Sequence, residues 1–365
     1  MVVWKPAPVA ARLTLLLSVL AVSLGGQARD TLPVSLSDSE FWALTERISE
    51  PGGYFRSNSG STDNLLSNEN NVSTVAAALA ARVQPGGVYL GVGPEQNFSY
   101  IVAIRPRIAF ITDIRRGNLQ LHLVYKALFE MSANRADFVA RLFSRTQPAG
   151  LTAQSSAEDL MNAFLRARPA SEAAFNANLK AIYDHLKTTR HLPLTDDDVE
   201  GIEYVYQNFY RFGPAIHYTS SIGGSPRMNN YASIMASTDA RTGDERTYLA
   251  SEANFALIKA MESRNMIVPI VGDFAGPKAL RATGAYLRER GATVSAFYVS
   301  NVEMYLERSG VWPAFCANVA TLPLDAASIF IRPGGRGAAS PFSPMSSETA
   351  SCRAGTPRDR PRPVR

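Results

Sequence analysis

The sequence predicts an α/β protein built on a doubly wound, mostly parallel sheet, and three observations carry that prediction. An apolar run, Val88 to Leu90, enters a glycine turn, Gly91-Val92-Gly93, and a second apolar run, Ile108 to Thr112, ends in Asp113. Past residue 230, apolar runs of strand length alternate with helical segments, the rhythm of parallel strands joined by crossover helices. Between the two lies a long stretch with only helical periodicity, which marks an insertion after the second strand.

Lys5 and Arg12 precede the apolar run Leu13 to Leu24, followed by Gly25-Gly26-Gln27-Ala28. This is the pattern of a signal peptide over residues 1–28, with small residues before a cut at Arg29, so the mature chain is expected to be exported, periplasmic or extracellular. The run is shorter than the roughly 20 residues a membrane-spanning helix needs, and no integral membrane segment is expected in the mature chain.

The glycine turn is the most informative segment. Gly91 and Gly93 let backbone approach a ligand, Pro94 suits a helix's first turn, and Glu95, Gln96 and Asn97 stand where a helix start meets a ligand's polar end. Asp113 lies twenty positions beyond Gly93, the separation at which an acid at the second strand's tip accepts hydrogen bonds from ribose. Gln96 replaces the third glycine of a dinucleotide fingerprint, which leaves a nucleoside ligand. The alternative reading has Asp113 pairing with Arg115 or Arg116 and Glu95 complementing the helix dipole. Upstream, Asp63, Asn64, Ser67, Asn68 and Glu69 form either a loop over the same cleft or an ordinary turn cluster.

Helical spacing runs from Leu119 to Met131 and Phe138 to Phe143, then over Ala157 to Ala167, Glu172 to Leu186 and Asp197 to Phe212, which sets the insertion at about 134–212. A third strand is expected over Tyr231 to Ser237 with Asp239 in the loop after it, then a helix over Ser251 to Arg264. A fourth strand, Met266 to Val271, ends in Gly272-Asp273. A helix over Pro277 to Arg290, a strand over Ala292 to Val299, a helix from Asn301 and a final strand over Ser328 to Arg332, antiparallel at the sheet's edge, complete a domain of residues 29–333.

The phrases PGGYFRS, LLSNE, GGVYLGVGPEQNFSYI, DIRRGNLQLH, YLASEANF, IVPIVGDFAGPKALR and FYVSNVEMYL resemble those of a bacterial family, often exported, of unknown activity and with a fold like that of class I S-adenosylmethionine-dependent methyltransferases. The resemblance spans roughly residues 40 to 332. It implies S-adenosylmethionine as cofactor, with Gly91 and Gly93 near its methionine part, Asp113 on its ribose and Asp239 facing its adenine. Asp273 becomes the candidate catalytic residue, at a position that often contacts substrate. Two departures stand against an enzyme: Gly272-Asp273-Phe274-Ala275 lacks the Asn-Pro-Pro-aromatic signature of amino-group methylation, and Tyr89-Leu90 replaces the acid usual before the first turn. The alternative is a non-catalytic ligand-binding or protein-interaction protein on the same scaffold.

The net charge of +5 sits at the ends. Six arginines against Glu348 and Asp359 lie beyond Pro333, and with Lys5 and Arg12 set aside residues 29–332 are close to neutral, which excludes a nucleic-acid surface. Residues 334–365, rich in Gly, Pro, Ser and Arg, read as a disordered basic tail. Cys316 and Cys352 are the only cysteines, either bridged or free. Asp196, Asp198, Glu200 and Gly201 mimic a calcium loop, yet its twelfth position is Gln207, and the acids read as a first helical turn after Thr195. His122, His185, His191 and His217 lack paired ligand spacing, so no metal is expected. No serine elbow or P-loop occurs.

Overall fold

The computed structural model describes residues 1–3, 31–53, 63–223, 229–332 and 340–353. The expected signal peptide therefore lies almost wholly outside the described residues, as does the chain beyond residue 353.

Two helices precede the sheet: α1 (Asp38–Ile48), started by a capping box between Ser37 and Glu40, and α2 (Val72–Ala80). The sheet opens with β1 (Val88–Gly91), followed by α3 (Gln96–Ile104) and β2 (Ile108–Asp113). Helices then fill the chain as far as the third strand: α4 (Arg116–Met131), α5 (Arg135–Leu142), α6 (Ala157–Arg166), α7 (Glu172–Asp184), α8 (Asp196–Phe212), α9 (Tyr231–Met235) and α10 (Glu252–Ser263). Next come β3 (Ile267–Val271), α11 (Ala279–Glu289), β4 (Val294–Tyr298), α12 (Val302–Arg308), α13 (Trp312–Val319), β5 (Ile329–Ile331), β6 (Phe342–Pro344) and α14 (Met345–Arg353).

Six strands form one sheet in the order β3-β2-β1-β4-β5-β6, parallel except for the β5–β6 pair. This is a Rossmann-like arrangement: the chain winds outward from β1 to β3, returns to β4 on the other side of β1, and winds outward again. The strands β1, β2, β3 and β5 are buried along their whole length, as parallel strands covered on both faces should be. On the helical side an aromatic core joins α3 to the long insertion, with the Phe129 and Phe138 rings 4.4 Å apart and Phe98 edge-on to Phe129 and Tyr248.

Three expectations are corrected. The predicted strand at Tyr231–Ser237 is the helix α9. Its buried residues, Tyr231, Ala232, Ile234 and Met235, follow helical rather than alternating spacing, and the Asn230 side chain accepts the Ser233 amide at 2.9 Å to start a turn. The helical region therefore runs from Arg116 to Ser263, and the strand ending before Asp273 is the third, not the fourth. The strand at Ile329–Ile331 is parallel to β4, and the antiparallel edge is β6, from the expected tail. Met345, fully buried, anchors that segment, and its amide donates to Ser328 O at 2.9 Å. Cys316, on α13, is disulfide-bonded, and the chain's one other cysteine is Cys352, on α14. The acids at the start of α8 belong to a capping box on Thr195, with Asp198 held by Arg116 at 2.8 Å. No helix among the described residues is long and apolar enough to cross a membrane.

Candidate functional site

Parallel strands point their carboxyl ends the same way, and where neighbouring connections leave in opposite directions a crevice opens. Here that point lies between β1 and β4, and a cavity of about 410 Å³ occupies it, within the range of small-molecule sites. The turn after β1 contributes Val92, Gly93 and Gln96, and the end of β2 contributes Thr112, Asp113 and Arg115. From β3 come Gly272, Asp273 and Phe274. The end of β4 and α12 supply Tyr298, Ser300, Asn301 and Tyr305, while Asn64, Ser67 and Asn68 border the opening together with Tyr218.

The glycine turn is held from behind. Asn97 donates through Nδ2 to the carbonyls of Val92, Gly93 and Pro94 at 3.0, 3.2 and 2.7 Å, and its Oδ1 accepts the Tyr89 hydroxyl at 2.8 Å. Gly91 is needed for this knot, since a Cβ there would stand 2.0 Å from Asn97 Oδ1. Gly93 has φ +77°, and a Cβ on it would meet Asn64 Nδ2 at 3.2 Å. His122 Nε2 lies 2.9 Å from the Gly93 carbonyl, and burial lowers the imidazole pKa to about 4, so the ring is neutral and donates to that oxygen. Gln96 Nε2 donates to Val92 O at 3.1 Å, which fixes the amide's orientation, while its buried Oε1 has no hydrogen-bond partner.

Glu95 is fully buried, and its carboxyl oxygens accept the Ser67 amide at 3.1 and 3.3 Å. Burial pushes its pKa up to about 8. It ties the 64–69 loop to the start of α3 and does not line the cavity.

At the tip of β2, Asp113 Oδ1 accepts Arg115 Nε and the Arg115 amide, both at 3.0 Å, and Oδ2 accepts Arg115 Nη2 at 3.1 Å. At the tip of β3, Asp273 Oδ1 accepts the Ala275 amide at 2.8 Å. The start of α11, a ready anion site, is already filled: the Glu50 carboxylate accepts the amides of Asp273, Lys278 and Ala279 at 3.1, 2.8 and 2.8 Å. At the tip of β4, Glu69 Oε1 accepts the Tyr298 hydroxyl at 2.6 Å and the Ser300 hydroxyl at 3.0 Å. Desolvation raises the Glu69 pKa despite both bonds. Ser300 and Asn64 are non-glycine residues at φ +47° and +52°, backbone strain of the kind that gathers at ligand sites.

Of the residues singled out in the sequence, Gly93, Gln96, Asp113 and Asp273 thus share one cavity with Asn64, Ser67 and Asn68 of the upstream loop. Gly91, Glu95 and Asn97 stand behind its wall. Asp239 is not part of it: its carboxylate accepts the Arg241 amide at 3.2 Å, its amide donates to Asp244 O, and the neighbouring Ala240 amide binds Thr74 on α2. The expected strand before it is a helix, so nothing carries Asp239 to the sheet's carboxyl edge. Arg115 pairs with Asp113 as the alternative sequence reading has it, whereas Tyr218, Tyr298, Ser300 and Tyr305 carry no local signal in the sequence, since their meeting depends on the sheet's crossover. Among the described residues, no group of three or more His, Cys, Asp or Glu side chains is placed to hold a metal ion.

The profile of a domain of unknown function, DUF7790, matches residues 65–197 and 228–349. The chain belongs to the DUF7790 family. No curated protein matches it. The DUF7790 match takes in Ser67, the glycine turn, Asp113, Asp273 and the Tyr298–Ser300 segment, whereas Asn64 and Tyr218 fall outside it.

Proposed function

We propose that the cavity is a small-molecule site for a nucleoside-type ligand of the S-adenosylmethionine class, and that this DUF7790 protein is a transferase built on it. The observation that carries the reading is the placement of Asp113 and Gly93 on one cavity at the crossover between β1 and β4, where open α/β sheets take their ligands. The lining suits such a ligand, since apolar walls from Val92, Phe274 and Leu306 alternate with hydroxyls, amides and two carboxylates. In this reading Asp113 accepts from ribose, each of its oxygens having lone-pair capacity beyond the bonds to Arg115, the Gly93 turn lies against the methionine part, and Asp273 faces the acceptor.

Binding without turnover is the second reading. One observation favours it: at the candidate catalytic position the chain reads Gly272-Asp273-Phe274-Ala275, without the Asn-Pro-Pro-aromatic signature of amino-group methylation.

Calorimetry with S-adenosylmethionine and S-adenosylhomocysteine tests the site, with Asp113→Asn as the control that keeps an acceptor for Arg115. Micromolar binding, weakened at least about tenfold in the folded variant (1.4 kcal/mol), supports it. No heat from either ligand with folded protein ends the nucleoside reading.

A further inference from the structure

Part of the polar lining of the cavity is committed to accepting hydrogen bonds. Tyr298 and Ser300 both donate their hydroxyl protons to the same Glu69 oxygen, Oε1. What these two hydroxyls keep for the cavity is lone pairs. Because both bonds use Oε1, a proton on Oε2 of Glu69 leaves them unchanged. Gln96 adds a third acceptor: its Nε2 is committed to Val92 O, and its Oε1, on a residue 1% exposed, has no partner among the described residues. Leaving a buried carbonyl oxygen without a donor is costly, and a ligand N–H in that place removes the cost.

The charge balance runs the same way. Arg115 is the only cationic side chain among the described lining residues, and Asp113 neutralises it at 3.0 Å. Asp273 lines the same cavity; Oδ1 holds the Ala275 amide, and among the described residues it forms no ion pair and Oδ2 receives no hydrogen bond. A ligand entering here meets one carboxylate without a countercharge beside the acceptors of Tyr298, Ser300 and Gln96, with the amides of Asn64, Asn68 and Asn301 elsewhere on the wall.

We infer that the ligand carries an alkylammonium group, which this cavity recognises through Asp273, Gln96 and the hydroxyl oxygens of Tyr298 and Ser300, whose protons point to Glu69. The inference deepens the nucleoside reading and rests on it for the remainder of the ligand. Glu69 is a positioning residue in it: it turns the two hydroxyls into acceptors without touching the ligand. Each N⁺–H bond to such an acceptor is charge-assisted and so stronger than a bond between neutral groups.

Two matched pairs of probes separate this inference from the nucleoside reading. The full-length protein is titrated with 5′-amino-5′-deoxyadenosine against adenosine, and with butylammonium against butanol, at neutral pH. The expected result is that the amino nucleoside binds at least about tenfold tighter than adenosine, a ratio equal to 1.4 kcal/mol, and that butylammonium perturbs the protein's spectrum where butanol does not. Asp273→Asn, which keeps the acceptor for the Ala275 amide, should collapse the ratio towards one while adenosine still binds. Glu69→Gln should reduce it, because the amide nitrogen can donate to one hydroxyl. Equal binding of the two nucleosides overturns the ammonium inference and leaves the nucleoside reading standing. Butylammonium binding that depends on Asp273, with neither nucleoside bound, upholds the ammonium seat and overturns the nucleoside reading. Preference for an amine that survives both substitutions in folded protein overturns the assignment to these residues, and no preference in either pair overturns the inference itself.

Discussion

Asp113 and Arg115 form a forked pair two residues apart at the tip of β2, with Nε and Nη2 of the guanidinium on separate carboxylate oxygens at 3.0 and 3.1 Å. The Arg115 and Asp113 side chains are 13% and 5% exposed, so removing one partner leaves the other's charge partly desolvated. Asp113→Ala is expected to lower stability by about 3 kcal/mol, and adding Arg115→Ala to recover part of that loss. Urea denaturation of both singles and the double closes the cycle; additive losses would mean that the pair is not coupled.

Gly93 offers a second check, because two effects meet there. Its φ of +77° alone costs an alanine about 1–2 kcal/mol, and the new Cβ would press on Asn64 Nδ2 at the cavity's edge. Gly243, at φ +76° with open space around a Cβ, isolates the backbone part. Both Gly→Ala variants should lose similar stability in a thermal melt, but only Gly93→Ala should lose ligand affinity as well.

What could be read from the sequence was what local spacing encodes. The glycine turn, Asp113 and the alternation from Glu252 to Arg308 are short-range patterns, and the structure places them where their periodicity says. Tyr231–Met235 reads as a strand because a short apolar run flanked by polar residues has no length to distinguish strand from helix, and the capping box on Asn230 decides for the helix. The edge strand β6 hid in a Gly/Ser/Arg-rich segment, where pairing with β5 and burial of Met345 outweigh composition. Glu50 closing the start of α11, and Glu69 reaching Tyr298 and Ser300, join residues more than two hundred positions apart, which no local pattern records.

Stability should fall as pH rises towards 8, contrary to the usual carboxylate behaviour. Burial raises Glu95 and Glu262 from the ordinary 4.5 to about 8. Between those values the folded state keeps a proton on each that the unfolded state has lost, so their contribution is complete below about pH 4.5 and disappears as pH passes 8. His122 acts oppositely, since its folded pKa of about 4 lies below the ordinary 6.5, and it costs stability as pH falls through that window. The two trends partly cancel below about pH 6.5, which leaves the steepest loss between about 6.5 and 8, at roughly 1.4 kcal/mol per pH unit for each carboxyl. Urea midpoints at three pH values in that range should shift accordingly, and Glu95→Gln should remove its share of the slope. A midpoint independent of pH in wild type would show that these carboxyls ionise in the folded protein.

Arg332 connects the edge of the sheet to the cavity. Its Nε and Nη2 bind the Glu303 carboxylate at 2.6 and 2.8 Å, Nη1 and Nη2 bind Glu348 at 2.7 and 2.5 Å, and the guanidinium lies 4.5 Å over the Phe330 ring. Glu303 is on α12, whose Tyr305 and Leu306 line the cavity, and Glu348 is on α14. Arg332→Ala takes the shared cation from both carboxylates, and with the arginine side chain only 20% exposed the loss should be about 2–3 kcal/mol, below the 3–5 of a fully buried pair. Because the penalty is repulsion between carboxylates, it should shrink near pH 4, where they begin to protonate. The same variant should weaken ligand binding through α12 although position 332 does not line the cavity, and Arg332→Lys should restore charge but not the two-sided fork. Unchanged affinity in Arg332→Ala, with the stability loss present, would show that α12 holds its place from the α13 side alone.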